Sequence, residues 1–571
     1  MLETSASDEA ASVVGHEAPE TDPGEPGPGA SALAARLGIT FTVADVLDRA
    51  SNVPDQDFER FLDPKLAHLT PPDAMADRDL FADRVASALR NKEKIAVFGD
   101  YDCDGITATA IMTGVLRSLG ADVAPLLATR TEGAYGFSNP ALARVRATGA
   151  TLLITCDCGS SDHERIAAAR AAGIDTLVID HHLVPTEPLP ALGFLNPHRS
   201  DCGFAYKWLA SCGLALSVGA ALRQKLGAKL DLRPYLDLVA IGTIADVAPL
   251  TGDNRALVRA GLNVLGSGAR PGLRALGDLA RFDFSKGVIA EDVAFRIAPR
   301  LNAPGRLGDP DDALALLLTR DSVTASGLAA SIEQTQLRRR ALQAQMVDEA
   351  LSDIRDGGFD ALAGIVLARQ DWHPGVVGIV AGRVADTFGK PTIVIGLEGA
   401  TGRGSVRGPR GFPLHDALVL CKRELVGFGG HQAAAGVHVD ASRIDAIRAA
   451  WHDACGELGR GRPPRSDKLA TVRLDPRDDP RAVLADLLRL EPCGEGNPAP
   501  RLLLPAAHVK SARNLKGHLK LDLAFGLHRL SGIAFSRGEL TETVAGTRRD
   551  IVGTLRANTF QGGVELTVIS I

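Results

Sequence analysis

The chain has 571 residues, of which 45% are hydrophobic, 23% are charged and 4% are aromatic, and its formal net charge at pH 7 is −6. A chain of this length needs more than one core, so we expect several domains. It has neither an apolar run long enough to span a bilayer nor a charged-then-apolar signal at its start, which argues against a membrane protein and predicts a soluble, cytoplasmic one.

The charges are unevenly distributed along the chain. Residues 1–99 contain 18 acidic and 9 basic side chains, whereas residues 501–571 contain 5 acidic and 10 basic ones. Any contact with nucleic acid should therefore be local and close to the C-terminus. The eight cysteines lack the paired CxxC spacing of a zinc knuckle, and we interpret them as reduced, mostly buried thiols.

The first half of the chain predicts a tail, an α/β domain and a helical segment. Residues 1–35 are rich in proline, glycine and acids, a composition that predicts a disordered tail. From Lys94 onward, apolar strands alternate with helical patterns, which predicts a parallel-sheet catalytic domain with an N-terminal extension over residues 36–260. A helical segment with a long connecting helix follows over residues 261–355.

The second half predicts two further domains. Apolar runs such as Pro391–Ile395 and several glycine-rich stretches indicate a second α/β domain over residues 356–457. After a linker rich in arginine, glycine and proline, about five short strands are predicted within residues 470–571, and His518–Leu523 alternates with a period of two. Short strands at this spacing favour a small β-barrel such as an OB-fold.

Metal-ligand side chains follow three predicted strands of the first domain. Parallel strands bring their carboxyl ends to one edge of a sheet, where ligands bind, so we expect these side chains to form one site. They are Asp100, Asp102 and Asp104 after Lys94–Gly99, Asp157 after Leu152–Cys156, and Asp180, His181 and His182 after Asp175–Ile179, while Asp246 ends a later helical element.

These side chains suit a pair of divalent cations. Such a pair needs a bridging carboxylate, terminal carboxylates and often an imidazole, and mostly oxygen ligands favour Mn²⁺ or Mg²⁺ over structural zinc. The chemistry that such a site performs best is phosphoester hydrolysis. Each residue alone is weak evidence, because an aspartate after a strand is most often a helix N-cap and paired histidines are more often surface or core residues.

An EF-hand calcium loop is a competing interpretation of Asp100, Asp102, Asp104 and Gly105. That loop requires an acid at its twelfth position, which here is Ile111, and it requires a preceding helix where this sequence predicts a strand. Both requirements fail, so the cation pair is favoured.

The order of these motifs resembles the DHH phosphoesterase superfamily and, within it, the RecJ single-stranded-DNA exonucleases. The resemblance covers roughly residues 40–571. The segments that carry it are Asp100–Gly105, Thr155–Gly159, Asp180–His182, Gly242–Val247, Asn302–Arg306, Trp372–Val380, Phe428–Gly436 and Glu491–Pro498.

This resemblance implies a fold and an activity. The fold is a parallel-sheet DHH catalytic domain, a long connecting helix, a DHH-associated domain and a C-terminal OB-fold. The activity is a 5′→3′ exonuclease of recombination and repair that needs Mn²⁺, or alternatively Mg²⁺, and releases mononucleotides from single-stranded DNA. A RecQ-type helicase and a single-strand-binding protein are the partners that it implies.

The resemblance also implies roles for single residues. Asp104, Asp157, His181 and Asp246 would hold one metal, and Asp102 with Asp157 would hold the second, with Asp100 as an additional candidate. Asp157 and His182 would be catalytic, His182 by contacting the scissile phosphate, and Asp180 would orient an imidazole through a hydrogen bond. The residues expected to bind the DNA backbone or the 5′-phosphate are Arg130, Arg306, Ser405, Arg407 and His431.

Two loops depart from the family's pattern. Gly404–Gly408 has valine where glycine is common and glycine where serine is common, so we expect a stiffer loop with one hydroxyl fewer. Glu132–Gly136 has one residue more than usual, which would shift the surroundings of Arg130.

Two alternative functions remain open. A DHH enzyme for short oligonucleotides, cyclic dinucleotides or pyrophosphate would need only the two α/β domains, and the predicted barrel argues against it. A degenerate, non-enzymatic DNA-binding or scaffold protein would have lost metal ligands, whereas every acid and histidine of the predicted site is present.

Overall fold

A computed structural model of the chain describes residues 23–50, 53, 57–130, 136–430, 434–459, 471–558 and 562–571. The described residues divide into two compact units. The first unit comprises the described parts of 1–302, 310–330 and 468–571, and the second those of 303–309 and 331–467. Most of the predicted N-terminal tail lies outside the described residues, but Ala30–Leu37 is helical.

The first unit contains a five-stranded sheet with the order β2-β1-β3-β4-β5. Each neighbouring pair is parallel, which confirms the predicted parallel sheet. The strands are β1 (Lys94–Gly99), β2 (Asp122–Leu127), β3 (Leu152–Cys156), β4 (Asp175–Ile179) and β5 (Gly193–Leu195).

The register of this sheet aligns the carboxyl ends of its strands. Gly99 pairs with Cys156, Cys156 with Ile179, and Ile179 with Leu195. The residues that follow these positions therefore emerge side by side along one edge, as expected for parallel strands that all start from the opposite edge.

The connections of the first unit are mostly helical. The helix after β1 begins at Cys103, because the Asp102 side chain accepts a hydrogen bond from the Gly105 amide at 3.1 Å and caps it. Among the described residues between 78 and 318, the helices of eight or more residues are Arg78–Arg90, Cys103–Ser118, Asn139–Ala147, His163–Ala171, Ser211–Leu226, Leu236–Ala245, Gly252–Gly266, Pro271–Leu279, Ala298–Leu307 and Asp311–Leu318.

The second unit contains most of a long helix and a mixed sheet. The helix Ser322–Gly357 has 36 residues and confirms the predicted long connecting helix. The sheet has the order β6-β7-β8-β10-β9. Its strands are β6 (Ile365–Gln370), β7 (Thr392–Glu398), β8 (Thr401–Arg407), β9 (Gly427–Gly430) and β10 (Ala434–Asp440), and helices Val377–Phe388, Leu414–Leu420 and Ile444–Gly459 connect or follow them.

The C-terminal residues of the first unit form the predicted small barrel. Five strands close on themselves, because β12 pairs with both β13 and β15, and a short strand β11 pairs with β12 at the edge. The strands are β11 (Thr471–Arg473), β12 (Arg501–Leu515), β13 (His518–Phe525), β14 (His528–Ala534), β15 (Arg548–Ala557) and β16 (Val564–Ser570), with helix Pro480–Arg489 between the first two.

The N-terminal helices share a core with the barrel, and the predicted bounds of the catalytic domain with its N-terminal extension, residues 36–260, stay a prediction. Helices Ala30–Leu37, Phe41–Arg49 and Phe58–Leu62 contribute buried side chains to the same core as the barrel. The Thr42 amide and hydroxyl both donate to Asp478, at 2.8 and 2.7 Å. Local sequence carries no information on such a distant partner, because amphipathic helices specify only that one face is buried.

No single helix among the described residues is long and apolar enough to cross a membrane. The pair Ala30–Leu37 and Phe41–Arg49, bent by 117°, reaches the required length and composition only when the two helices are counted together.

Candidate metal centre and active site

Asp100, Asp157 and Asp180 stand at the same level, one residue beyond the ends of β1, β3 and β4. Each backbone amide donates to the carbonyl of the last residue of the neighbouring strand. The donor–acceptor pairs are Asp100 to Cys156 at 3.2 Å, Asp157 to Ile179 at 2.9 Å, and Asp180 to Leu195 at 3.1 Å. The sheet itself therefore fixes the spacing of the three carboxylates.

The imidazole of His181 faces three carboxylates. Its Nε2 atom lies 3.3 Å from Oδ1 of Asp157, 3.8 Å from Oδ2 of Asp246 and 3.9 Å from Oδ2 of Asp104. Candidate ligand atoms of His181, Asp104 and Asp246 all lie within 4.8 Å of one another. This spacing matches the edges of a metal coordination shell, so the sequence-predicted ligands of the first metal do come together.

A second group of oxygen ligands contains Asp157, whose carboxylate also groups with His181 and His182 within 4.8 Å. Carboxylate oxygens of Asp100, Asp102 and Asp157 lie within 4.8 Å of one another. The shared carboxylate would suit a bridge between two cations, which is the arrangement of two-metal hydrolytic sites.

His181 provides a direct test of whether these residues fit a cation. Its Nε2 atom is buried and has no hydrogen-bond partner among the described residues. A buried polar atom without a partner costs free energy, and a neutral imidazole nitrogen aimed at three carboxylates needs a cation between them. The donor set of oxygens with one nitrogen fits Mn²⁺ or Mg²⁺.

The carboxylates have unusually high proton affinities. Burial, followed by the charge of Asp104, raises the pKa of Asp157 well above its usual range and that of Asp246 to about 9. Burial and the charge of Asp102 raise the pKa of Asp100 in the same direction. Carboxylates this close together retain protons when no positive charge compensates them. A divalent cation supplies that charge.

Asp180 holds the second histidine of the pair. Its Oδ1 accepts hydrogen bonds from His182 Nδ1 at 2.7 Å and from the His181 amide at 2.8 Å, and its Oδ2 accepts one from the Ser160 amide at 3.0 Å. Burial opposes the charged imidazole most, but the hydrogen bond and charge of Asp180 outweigh it and raise the pKa of His182 to about 9. The same pairing lowers the pKa of Asp180 against the effect of burial.

Backbone strain and a close approach shape the two acidic turns. Asp157 has a positive φ of 63°, which is uncommon for a residue with a side chain, and strain of this kind concentrates at functional sites. A Cβ atom on Gly105 would lie 2.5 Å from the carbonyl oxygen of Asp100, so only glycine lets the helix Cys103–Ser118 start this close to β1.

Ser211 is a site residue that the sequence analysis missed. Its hydroxyl donates to Asp157 Oδ1 at 3.0 Å, and its amide donates to Asp104 Oδ2 at 2.7 Å. The Cys212 amide donates to the other oxygen of Asp104 at 2.9 Å. These contacts use the N-terminus of helix Ser211–Leu226, where unpaired amides favour negative charge. A single serine in the sequence is a weak signal for such a role, because most serines at helix starts only cap the helix.

Family models match three parts of the chain. The DHH family N-terminal domain matches residues 94–243, the DHHA1 domain residues 361–457, and the RecJ OB domain residues 472–570. The first match contains the strand ends and both histidines described above.

Curated relatives match most of the chain. The single-stranded-DNA-specific exonuclease RecJ of Escherichia coli is 33% identical over 509 residues, which cover 85% of this chain and 88% of that protein. The RecJ of Bacillus subtilis is 34% identical over 540 residues, covering 92% of this chain and 67% of the relative. The chain belongs to the RecJ family of single-stranded-DNA-specific exonucleases.

Solved RecJ structures agree with this membership. The RecJ of Thermus thermophilus in complex with Mn²⁺ superimposes with a TM-score of 0.78 at 31% identity, covering 94% of this chain and 76% of that one. Its complex with Mg²⁺ gives a TM-score of 0.72 at 30% identity, covering 94% of this chain and 75% of that one. RecJ relatives thus bind both cations that the donor set here favours.

The DNA contacts expected from the RecJ resemblance fall into two places. In the first unit, the guanidinium of Arg130 lies over the Tyr101 ring, with Cζ 4.2 Å from the ring centroid. The lengthened turn after Arg130, residues 131–135, lies outside the described residues, and so does His431. The expected shift around Arg130 and the expected role of His431 therefore stay predictions.

Ser405 and Arg407 form a polar pair in the second unit. Arg407 Nη1 donates to Ser405 Oγ at 2.9 Å, and both side chains border Gly378, near the start of helix Val377–Phe388. Burial lowers the pKa of Arg407, which indicates that the guanidinium is partly withdrawn from water. Arg306 Nη1 reaches the Gly375 carbonyl at 3.4 Å, so all three expected contacts lie beside residues 375–378.

The predicted stiff loop at Gly404–Gly408 is wrong in its structure. Residues 404–407 belong to strand β8, where alternate side chains face opposite sides of the sheet. Val406 is fully buried in the core of the second unit, while Ser405 and Arg407 point away from that core. Valine therefore fits this position because it packs in a sheet and restricts no loop.

Proposed function

We propose that this RecJ-family protein is a 5′→3′ exonuclease that hydrolyses the phosphodiester bonds of single-stranded DNA to mononucleotides, in recombination and DNA repair. The observation that carries the proposal is the pair of ligand groups that share Asp157 at the edge of the parallel sheet. Paired metal sites of this composition serve phosphoester hydrolysis.

Two divalent cations are proposed for this centre, with Mn²⁺ favoured and Mg²⁺ as the alternative. Asp104, Asp157, His181 and Asp246 would hold one cation, and Asp100, Asp102 and Asp157 would hold the other. When bound, the cations would lower the pKa of a water molecule and neutralise negative charge on the phosphate.

Neighbouring residues orient the proposed metal ligands through hydrogen bonds. Asp104 receives two amide hydrogen bonds from the start of helix Ser211–Leu226, and Asp157 receives one from the Ser211 hydroxyl. These bonds fix the orientation of both carboxylates, and partners of this kind support affinity and geometry in metal sites.

His182 is proposed to donate a hydrogen bond from a protonated ring nitrogen to the scissile phosphate. Asp180 accepts a hydrogen bond from Nδ1 of His182. This contact raises the pKa of His182 to about 9, so the ring is charged at neutral pH. The side chain is 26% exposed, so the ring can reach a bound strand. A cationic donor at this position would stabilise the charge that develops on the phosphate oxygens.

Arg306, Ser405 and Arg407 are proposed to bind the 5′-phosphate, and Arg130 the DNA backbone. The hydrogen bond between Ser405 and Arg407 presents a hydroxyl and a guanidinium side by side. Arginine forks match phosphate oxygens in geometry as well as in charge. A requirement for the terminal phosphate would give the enzyme its 5′→3′ direction.

The barrel is proposed to hold the trailing single strand. Its surface exposes Lys510, Arg513, Lys516 and Arg529, and OB-folds bind single strands through basic grooves and stacking. An enzyme that needs an unpaired strand depends on other proteins to supply it, which is the role that a RecQ-type helicase and a single-strand-binding protein would fill.

Substrates labelled at either end test this proposal. The same single strand carries a radioactive phosphate at its 5′ end or a label at its 3′ end, and both are digested with Mn²⁺ beside a blunt duplex. We expect immediate release of labelled mononucleotide from the first strand and a ladder of shortened products from the second. Equal digestion of single strand and duplex, or a mononucleotide released first from the 3′ label, would overturn the proposal.

A further inference from the structure

An exposed aromatic side chain projects beside the metal centre. Trp208 is 55% exposed, whereas the other two tryptophans of the chain, Trp372 and Trp451, are 4% and 0% exposed. Tryptophan has one apolar face and one polar N–H, so an exposed tryptophan offers a large planar surface to a ligand.

The strand order places His198, the aromatic neighbour of Trp208, at the sheet edge where the metal-ligand side chains lie. β5 lies parallel to β4, and its last residue pairs with Ile179, directly before the Asp180–His182 triplet. The chain then continues through Asn196 to His198, so His198 emerges at the same edge as the two site histidines. Asn196 ties these segments together, since its Nδ2 donates to the His182 carbonyl at 2.9 Å and its Oδ1 accepts from the His198 amide at 2.8 Å.

Trp208 and His198 form one aromatic surface. Their ring centroids are 5.8 Å apart, and the rings meet edge to face at 74°. His198 is the aromatic neighbour of Trp208, and more than half of the Trp208 side chain stays accessible to another planar group.

The backbone that carries Trp208 is firmly anchored. Buried Asn254 donates to the Trp208 carbonyl at 2.6 Å, and the next residues, Leu209 and Ala210, are buried. Ser211, three residues after Trp208, contacts both Asp104 and Asp157. The backbone that carries the ring is therefore anchored three residues before Ser211, which contacts two of the proposed metal ligands.

We propose that Trp208, supported by His198, is a stacking surface for one nucleobase of the DNA strand beside the cleaved phosphodiester. This inference rests on the proposed function. A nucleobase fits because every base offers a planar face, so stacking holds the strand without selecting its sequence, as a general exonuclease needs. A phosphate is a poorer occupant, because the pair itself presents aromatic rings and the nearby Lys207 ammonium donates to the Cys202 carbonyl at 2.7 Å.

Kinetics of Trp208→Ala and Trp208→Phe test the contact. Loss of one stacked base raises KM by roughly 5- to 100-fold, so we expect this change for Trp208→Ala, with kcat nearly unchanged and the melting temperature and Mn²⁺ affinity retained. Trp208→Phe should restore most of the affinity, because it keeps an aromatic face. Wild-type KM in Trp208→Ala would overturn the inference.

Abasic substrates distinguish stacking from a structural role. Strands with one abasic nucleotide at successive positions from the 5′ end are compared on the wild type and on Trp208→Ala. At one position, removal of the base should raise KM in the wild type and have no further effect in the variant. Purely additive effects at every position would show that Trp208 touches no base.

Quenching of intrinsic tryptophan fluorescence measures strand binding without cleavage. In EDTA, an oligodeoxythymidine strand should quench the wild type but not Trp208→Phe, because the remaining tryptophans are buried. Equal quenching of both proteins contradicts the inference.

If the wild type fails to degrade single strands yet shows Trp208-specific quenching, the proposed function falls and the stacking surface stands. If the wild type degrades single strands normally and Trp208→Ala has unaltered kinetics, the proposed function stands and the stacking surface falls.

Discussion

The Nε2 atom of His181 lies 3.3 Å from Oδ1 of Asp157, although the two residues follow neighbouring strands and are separated by 24 positions in sequence. No hydrogen bond accounts for this distance, since His181 Nε2 is buried without a partner among the described residues. The contact is explained if a cation lies against both atoms. The following predictions depend on that explanation and on the residues that surround it.

Asp180→Asn should change the pH dependence of catalysis. The carboxylate raises the pKa of His182 from its ordinary 6.5 to about 9, and without it burial would push that pKa down. The imidazole of the variant would then be neutral at about pH 8, so we expect kcat to fall about 100-fold there and less at about pH 6. Steady-state kinetics across this range provide the measurement. Asp175→Asn, at the opposite end of β4, is the matched control, and an unaltered pH profile in Asp180→Asn would refute the role of His182.

The stability of the metal-free protein should fall as pH rises from about 6 to about 9. Asp246 has a folded pKa of about 9 against an ordinary 3.8, so its contribution is fully present below 3.8 and is lost as pH rises through 9. His182 acts in the same direction between 6.5 and about 9. Mn²⁺ displaces the protons, so its stabilisation should grow with pH.

Thermal unfolding in EDTA and in Mn²⁺ measures this linkage. Asp246→Asn serves as the control, because it removes one of the titrating groups and should flatten the decline in EDTA. A melting temperature in EDTA that rises with pH, or that declines equally in the variant, would argue against protonated carboxylates in the metal-free site.

Ser211→Ala should weaken metal binding without unfolding the protein. The substitution removes the hydroxyl bond to Asp157 but keeps the backbone amide that donates to Asp104. Loss of such a supporting partner lowers metal affinity by roughly 10- to 100-fold. Isothermal titration with Mn²⁺ is the measurement, and Ser118→Ala, at the exposed end of helix Cys103–Ser118, should bind Mn²⁺ like the wild type. Unchanged affinity in Ser211→Ala would show that the hydroxyl only caps its helix.

Arg407→Ala should impair recognition of the 5′-phosphate. Removing a charge-assisted hydrogen bond should raise KM for a 5′-phosphorylated strand by roughly 10- to 100-fold and change KM for a 5′-hydroxyl strand much less. Competition between the two strands measures the preference. Arg403→Ala is the control, because Arg403 is exposed on the same strand, β8. An equal loss on both strands would assign Arg407 to general affinity and remove it from end recognition.

The sequence predicted the parts of the molecule that short-range pattern determines. Three apolar runs that end in acids and histidines predicted parallel strands, and because strand ends align in a parallel sheet, their side chains were expected to meet. The end of a helical element placed Asp246 among the candidate ligands, but its assignment to one metal came from the family resemblance, since no periodicity relates a helix end to a strand end.

Long-range packing accounts for what the sequence did not reveal. The serine at position 211 becomes a site residue only because its helix starts beside Asp104 and Asp157. The helices of residues 30–62 show amphipathic patterns that leave their partner open, and the structure pairs them with a barrel more than 400 positions away. Ser405–Arg407 was interpreted as a loop because glycines surround it, whereas cross-strand pairing with β7 and β10 makes it a strand.

Asp157→Ala tests the central claim most directly, because Asp157 is shared by both proposed metal groups. The measurement is Mn²⁺-dependent digestion of a 5′-phosphorylated single strand, together with binding of the same strand in EDTA. We predict that cleavage falls by roughly 1,000-fold or more, since loss of even one group that stabilises the transition state costs about 100- to 1,000-fold, while strand binding stays close to that of the wild type. Cleavage by Asp157→Ala at a rate comparable to the wild type would contradict a shared carboxylate at the heart of the site.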